Sequence, residues 1–164
     1  MANPSRDVVR QAIASWITAA AITNLNQVFA TLPKLLDFNV NSLAGQASRG
    51  ICLVFIASEN EATVAGGVYG GWRRIDYTIG LMIEMYSTQP TEDLVMTDYD
   101  TLIDAVKARL RVGQFRLNYP DGSVIWQAAQ KGVGVSYGLP DTEDDAGTSI
   151  EATITFTITQ MIQV

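Results

Sequence analysis

The chain has 164 residues, a formal net charge of −6 and no histidine, and Cys52 is its only cysteine. This length suits one domain with its own hydrophobic core, so residues 1–164 are interpreted as a single domain. Without histidine, the chain excludes Ser-His-Asp, Cys-His and histidine-based metal sites, and its acidic balance disfavours stable binding to nucleic acid.

The first part of the chain predicts a helix followed by a strand. Asn3-Pro4 is a favourable helix start, and apolar residues then recur three or four positions apart from Val9 to Ala20. Turn-forming residues interrupt the next segment, which predicts loops with one short strand near Val28. The apolar run "ICLVFIAS", Ile51–Ser58, predicts a strand covered on both faces.

The glycine-rich stretch "GGVYGGW", Gly66–Trp72, invites comparison with a phosphate-binding loop. Such a loop needs Lys and then Ser or Thr before a helix, whereas Arg73-Arg74 follows here and leads into a strand. We therefore interpret the glycines as the tip of a hairpin that lets two strands leave the body of the domain. From Trp72 to Tyr86, apolar and polar residues alternate, which predicts one long strand.

A second helix is expected from Thr97 to Gly113. Thr97 and Asp100 resemble a capping box, and Gly113 suits the position just after a helix. Acidic residues are concentrated near the predicted start and basic residues near the end, as the helix dipole favours.

The last third predicts short strands and one long one. Phe115–Asn118 and Ser123–Ala129 flank the turn "NYPDGS", and "KGVGVSYG" suggests a further strand weakened by glycine. The segment "DTEDDAG" has Ala146 and Ala152 at the two positions where a calcium loop requires glycine and glutamate, so it is interpreted as a solvated acidic loop. "SIEATITFTITQMIQV" then alternates between apolar and polar residues up to Thr159.

The order of these elements favours the α+β class, because helices and strands do not alternate strictly. We expect a mixed, mostly antiparallel β-sheet with two α-helices packed on one face. The two long strands, which exceed the usual strand length of about 3–10 residues, are expected to be neighbours in this sheet.

Strands of this length predict a shared surface between subunits. If they project beyond the domain, their unpaired backbone groups need a partner, and strand addition between subunits would supply one. Trp and Arg are common interface anchors, although solvated arginines at a strand end are an equal alternative. The candidate subunit-interface residues lie at one end of each long strand: Trp72, Arg73, Arg74, Gln160, Met161, Ile162 and Val164.

The chain resembles the tail terminator, or tail completion, proteins of long-tailed bacteriophages. The resemblance rests on four segments in order: "RDVVRQAIASWI", "RRIDYTIGLMIEMYS", "YDTLIDAVKARLR" and "IEATITFTITQMIQV". It implies a homo-oligomer, a hexameric ring on top of the tail tube that stops polymerisation and meets the head–tail connector. It also implies a place in the virion, at the head-proximal end of the tail, after assembly in the host cytoplasm.

Genome DNA would pass through the lumen of such a ring, and an acidic wall would keep the DNA from sticking. The candidate lumen-facing residues are those of the acidic loop: Asp141, Glu143, Asp144 and Asp145. No catalytic, cofactor-binding or metal-ligating residue is predicted, so we expect no enzyme, no cofactor and no membrane association. The alternatives are another head–tail connector or tail-tube component, or a small enzyme or ligand-binding domain.

Overall fold

The computed structural model describes residues 6–32, 46–67, 70–111, 127–128, 132–143 and 147–163. Two helices and seven strands lie in these ranges. In chain order they are α1 (Arg6–Thr18), β1 (Leu25–Phe29), β2 (Ser48–Gly67), β3 (Gly70–Ser87), α2 (Glu92–Arg111), β4 (Gln127–Ala128), β5 (Gly134–Tyr137), β6 (Asp141–Glu143) and β7 (Gly147–Gln163). The strands predicted near Val28 and within "KGVGVSYG" are therefore confirmed as β1 and β5.

All seven strands form one mixed sheet. Its order is β1-β2-β3-β7, and the short strands β4, β5 and β6 pair with successive parts of the far edge of β7. Only β1 and β2 are parallel, and every other pair is antiparallel. The expected α+β fold with a mostly antiparallel sheet is confirmed.

The two long strands recognised in the sequence are neighbours, as expected. β3 and β7 pair without interruption from Trp72 opposite Gln163 to Ser87 opposite Thr148. Because side chains alternate across a sheet, the register puts the apolar residues of both strands on one face. Those of β3 from Ile75 to Met85 are buried.

Both helices pack on this apolar face and bury it in a single core. The helical core residues are Val9, Ile13, Ala14 and Ile17 of α1 and Val95, Tyr99, Leu102, Ile103 and Val106 of α2. The helices also touch each other, because the Arg109 guanidinium lies 4.3 Å from the centre of the Trp16 ring and donates a hydrogen bond to the Trp16 carbonyl. One face of the sheet thus carries most of the hydrophobic stabilisation.

The predicted start of the second helix is wrong. α2 begins at Glu92, and the Thr91 carbonyl accepts the first helical hydrogen bond from the amide of Val95. Thr97 does not cap the helix, because its hydroxyl bonds back to the Asp93 carbonyl within the helix. Glu92 and Asp93 supply the negative charge of the first turn. The helix dipole is therefore stabilised by acidic residues as expected, about one turn earlier than predicted.

The predicted extent and burial of the second strand are also wrong. β2 continues beyond Ser58 to Gly67, through a polar segment that gives no clear strand signal. On the face away from the helices, Ile51, Leu53 and Phe55 are only partly buried. The Phe55 ring lies directly over Gly80, where an added Cβ would come within 2.2 Å of a ring carbon. Asn3-Pro4, Gly113 and the predicted strand at 115–118 lie outside the described residues.

Candidate assembly surface at the distal end of the sheet

The three longest strands continue past the buried core and form a segment that we call the distal extension. It consists of Ala57–Gly67 of β2, Gly70–Arg74 of β3 and Met161–Gln163 of β7, which pair side by side. All residues from Ala57 to Val64 are exposed, on both faces of the sheet. A sheet that is solvated on both faces gains little from burial within its own subunit, so this segment is available for contacts with another molecule.

The register of β3 and β7 brings the two groups of predicted interface residues together. Trp72 lies opposite Gln163, Arg73 opposite Ile162, and Arg74 opposite Met161. These residues are almost ninety positions apart in the chain, and only the uninterrupted ladder between the long strands makes them neighbours. Val164 lies outside the described residues, and only the backbone of Ile162 is described.

Trp72 and Met161 form an exposed apolar pair on the face away from the helices. Their side chains share this face because each stands an odd number of positions from the buried pair Ile75 and Gln160. Trp72 is 45% exposed and Met161 is 44% exposed. They are diagonal neighbours across the ladder, where long and aromatic side chains are within reach of each other.

Arg74 lies on the same face and is held in place by an acidic neighbour. Its Nε donates to Asp76 Oδ1 at 2.9 Å, and the Thr159 hydroxyl donates to the same oxygen. The guanidinium of Arg74 is therefore oriented before any partner binds. An oriented arginine beside an exposed tryptophan is a common composition for the centre of a protein interface.

The opposite face of the distal extension carries paired charges. Arg73 donates to Glu61 across the hairpin, and Arg6 at the start of α1 donates to Glu59 at 2.8 Å. The contact with Glu59 raises the pKa of Arg6 above its ordinary value. These pairs balance two acidic side chains of β2, so this face is close to neutral despite the acidic net charge of the chain.

Gln160 marks the boundary between the core and the distal extension. It is only 1% exposed, and its Oε1 accepts a hydrogen bond of 3.2 Å from the Tyr77 hydroxyl. Gln160 interrupts the apolar pattern of β7 with a polar side chain. Its position does not change, because this side chain continues the row of buried residues on the strand. The strand leaves the core one residue later, at Met161.

Two backbone edges of the distal extension have no strand partner among the described residues. β1 pairs with β2 only from Gly50 to Leu53, which leaves the outer edge of β2 open from Val54 onward. On the other side, β4 pairs with Thr159 and Ile158, which leaves Gln160–Gln163 open. Register shifts near Ala57 and Val64 confine the regular part of the β2 edge to Ser58–Thr63. Such edges are the structural requirement for strand addition.

The predicted acidic loop lies at the other end of the sheet. Asp141 and Glu143 belong to β6, which pairs with Gly147–Ser149 at the start of β7. Asp141 is exposed, while Asp144 and Asp145 lie outside the described residues. The structure therefore separates the predicted lumen-facing residues from the predicted subunit-interface residues by most of the length of β7.

The described residues show no arrangement that would bind a metal ion. No three of their Cys, Asp or Glu side chains come close enough together to hold one. In the same ranges, neither helix is long and apolar enough to cross a membrane. The buried Cys52 has its pKa raised to about 12 by burial, which keeps the thiol protonated and unreactive at neutral pH.

The sequence interpretation misses the third strand of the distal extension. Ser58–Val64 combines small, acidic and amide residues, which have low strand propensity, and no apolar face is needed because both faces are solvated. The available signal is indirect: a long strand that begins directly after a hairpin tip needs an equally long partner before the tip.

Comparison with known proteins adds no family to this description. No protein-family model and no curated protein sequence matches the chain.

Proposed function

We propose that this chain is a structural virion protein that assembles into a ring through its distal extension. The observation that carries the proposal is the pairing of three strands beyond the core, with exposed Trp72 and Met161 on one face and two edges that have no strand partner within the described part of the chain. A monomer gains little from building such a segment, whereas copies placed side by side would cover it.

The two open edges suit a head-to-tail ring. A contact between two different surfaces of the same subunit generates a ring when the rotation between copies closes. The regular part of the β2 edge includes Glu61–Thr63, and cross-strand pairing through β3 connects this segment to Gln160–Ile162 on the open edge of β7. The two edges therefore overlap in height along the strands, which favours rotation without a large shift between neighbouring copies.

The resemblance to tail terminators supplies the biological role in this proposal. Such a ring would cap the tail tube, end its polymerisation and join the tail to the head connector, with genome DNA passing through. The partners would then be the tail-tube protein and the connector. No enzymatic activity is part of the proposal.

The direct test is a polymerisation assay with the tail-tube protein of the same virus. We expect that adding this chain shortens the tubes and that electron microscopy shows a ring at one tube end. The matched variant Trp72→Asp should leave tube length unchanged while the chain stays folded. Tubes of normal length with the wild-type chain incorporated along them would instead identify it as a tube component and overturn the proposal.

A further inference from the structure

Outside the distal extension, the residue Leu139 is unusually exposed. It is 91% exposed in the short connection between β5 and β6, and the neighbouring Tyr137 is 57% exposed. The connection is held in position, because the Gly138 amide donates to the Glu151 carbonyl at 2.8 Å. The Tyr137 ring also packs edge-on against the Tyr99 ring of α2, with the two ring centres 6.3 Å apart. Leu139 is therefore an apolar side chain held outward at one edge of the sheet.

The opposite edge of the sheet carries an open groove between α1 and β1. Its volume is about 510 Å³. The lining side chains are mostly small: Gln11, Ala14, Ser15 and Thr18 of α1, Ala19 directly after it, Val28 of β1 and Ala30 directly after that strand. Small side chains leave room for an incoming aliphatic group, and Ala14 and Val28 give the groove an apolar floor.

Leu139 cannot reach this groove within its own subunit. β1 and β5 are separated by three strands, so at about 4.8 Å per strand the two edges are roughly 19 Å apart. Yet the two features lie at the same height. One cross-strand row runs through Val28, Cys52, Ile83, Ala152 and Tyr137. Val28 and Tyr137, at its ends, both stand on the face that the helices cover.

We propose that Leu139 of one copy inserts into the α1–β1 groove of the next copy. This inference rests on the proposed ring and names a second contact within it. An apolar projection that fits a pocket elsewhere on the same molecule makes a head-to-tail contact, and equal height lets a rotation bring the two together. Both contacts run in the same direction, because the groove and the open β2 edge share one side of the sheet.

Paired cysteines test this contact in the full chain. Ser15→Cys and Leu139→Cys each change an exposed side chain, and the buried Cys52 does not compete for oxidation. When the two single variants are mixed and mildly oxidised, we expect a covalent dimer of one copy of each. The double variant should give a ladder of covalent oligomers that ends at the closed ring. A disulfide requires Cα atoms within about 7 Å, so the cross-link reports direct contact.

The matched control is Leu94→Cys, an exposed position on α2. Cross-linking of Ser15→Cys to Leu94→Cys as efficient as to Leu139→Cys would overturn the proposal.

A second pair of variants removes the contact without cysteines. Leu139→Asp loses the projection, and Ala19→Trp fills the groove, so each variant alone should associate at least about tenfold more weakly than the wild-type chain. Mixed together, they should associate more tightly than either variant does with itself, because the intact groove of Leu139→Asp can still take the intact Leu139 of Ala19→Trp. Wild-type association of Leu139→Asp would overturn the contact while leaving the ring itself standing. Wild-type association of Trp72→Asp, with the cysteine cross-link retained, would overturn the ring through the distal extension and leave the Leu139 contact standing.

Discussion

The three long strands differ in burial between the distal extension and the rest of their length, the proximal half, which is Ser48–Ile56 of β2, Ile75–Ser87 of β3 and Gly147–Gln160 of β7. In the proximal half, residues such as Leu81 and Ile154 are fully buried beneath the two helices. In the distal extension, the same strands carry exposed residues on both faces. The ladder between β3 and β7 is continuous across the boundary, so along these two strands the difference comes from the side chains and from what covers them. In the proposed ring, one sheet would fold through one half and associate through the other.

The largest effect on folding is expected from Leu81→Ala in the proximal half. Leu81 is fully buried at the centre of β3, and truncation leaves a cavity in the core. We expect the free energy of unfolding to fall by about 2–5 kcal/mol, measured by urea denaturation. A loss below about 1 kcal/mol would mean that the helices do not close tightly on this face.

Trp72→Asp is the matching change in the distal extension. Because Trp72 is already exposed, the unfolding free energy should change by only about 0.5 kcal/mol. Association should weaken by about 2 kcal/mol or more, since the substitution places a charge where an aromatic anchor is expected to be covered. Sedimentation velocity at matched concentrations measures the association, and Leu94→Asp serves as an exposed control outside the proposed interface. Equal loss of association in both variants would remove the special role of the distal extension.

Gln160 tests the boundary between the two regions. Replacing Gln160 by Leu leaves the buried Tyr77 hydroxyl without the amide oxygen that accepts its hydrogen bond. The unfolding free energy should fall by about 1–3 kcal/mol, and adding Tyr77→Phe should recover part of the loss. A double-mutant cycle of denaturation measurements checks this, and simple additivity would contradict the hydrogen bond.

Alkaline pH should weaken the proximal half. Burial raises the pKa of Cys52 from 9.0 to about 12, and burial likewise raises the pKa of Tyr99 from 10.0 to about 12. The unfolded chain then releases protons at lower pH than the folded chain, so stability is full below about pH 9 and declines above it. We expect Cys52 alone to contribute a loss of roughly 1 kcal/mol by about pH 10. Cys52→Ala should flatten this decline, and an unchanged slope would contradict its assignment to the thiol.

The smallest effect is expected from the ion pair between Arg73 and Glu61. Both side chains are nearly half exposed, so water screens the attraction. Arg73→Ala should change the unfolding free energy by less than about 1 kcal/mol, measured by thermal denaturation at low and high salt. A larger, salt-dependent loss would show that this pair supports the hairpin more than its exposure suggests.

The long strands β3 and β7 could be predicted because one of their faces is buried along most of the length, which forces alternation. The polar part of β2 could not, because a strand solvated on both faces needs no alternation. Gln160 illustrates a related limit. Its polarity suggests an exposed position, whereas the side chain is buried in the core and its amide oxygen accepts a hydrogen bond from the Tyr77 hydroxyl. Removing the chain from Gln160 onward would therefore disturb folding, because the buried hydrogen bond would be lost. Removing only the residues after Met161 is the cleaner test of association.

Tyr137 and Leu139 show a second limit. Nothing in their local sequence distinguishes them from core residues of a short strand, and only the sheet order reveals that they stand at its outer edge. The groove between α1 and β1 is equally invisible in the sequence, since small residues on a helix also suit close packing within a core.

The central claim is that the distal extension joins copies of this chain into a closed ring. The most direct measurement is the mass of the full chain in solution, by sedimentation equilibrium, for the wild type and Trp72→Asp across the same concentrations. The account predicts a closed oligomer of about six copies for the wild type and mostly monomer for the variant, with equal thermal stability when both are monomeric. A wild-type chain that stays monomeric at high concentration, or a variant that assembles equally well, would contradict it.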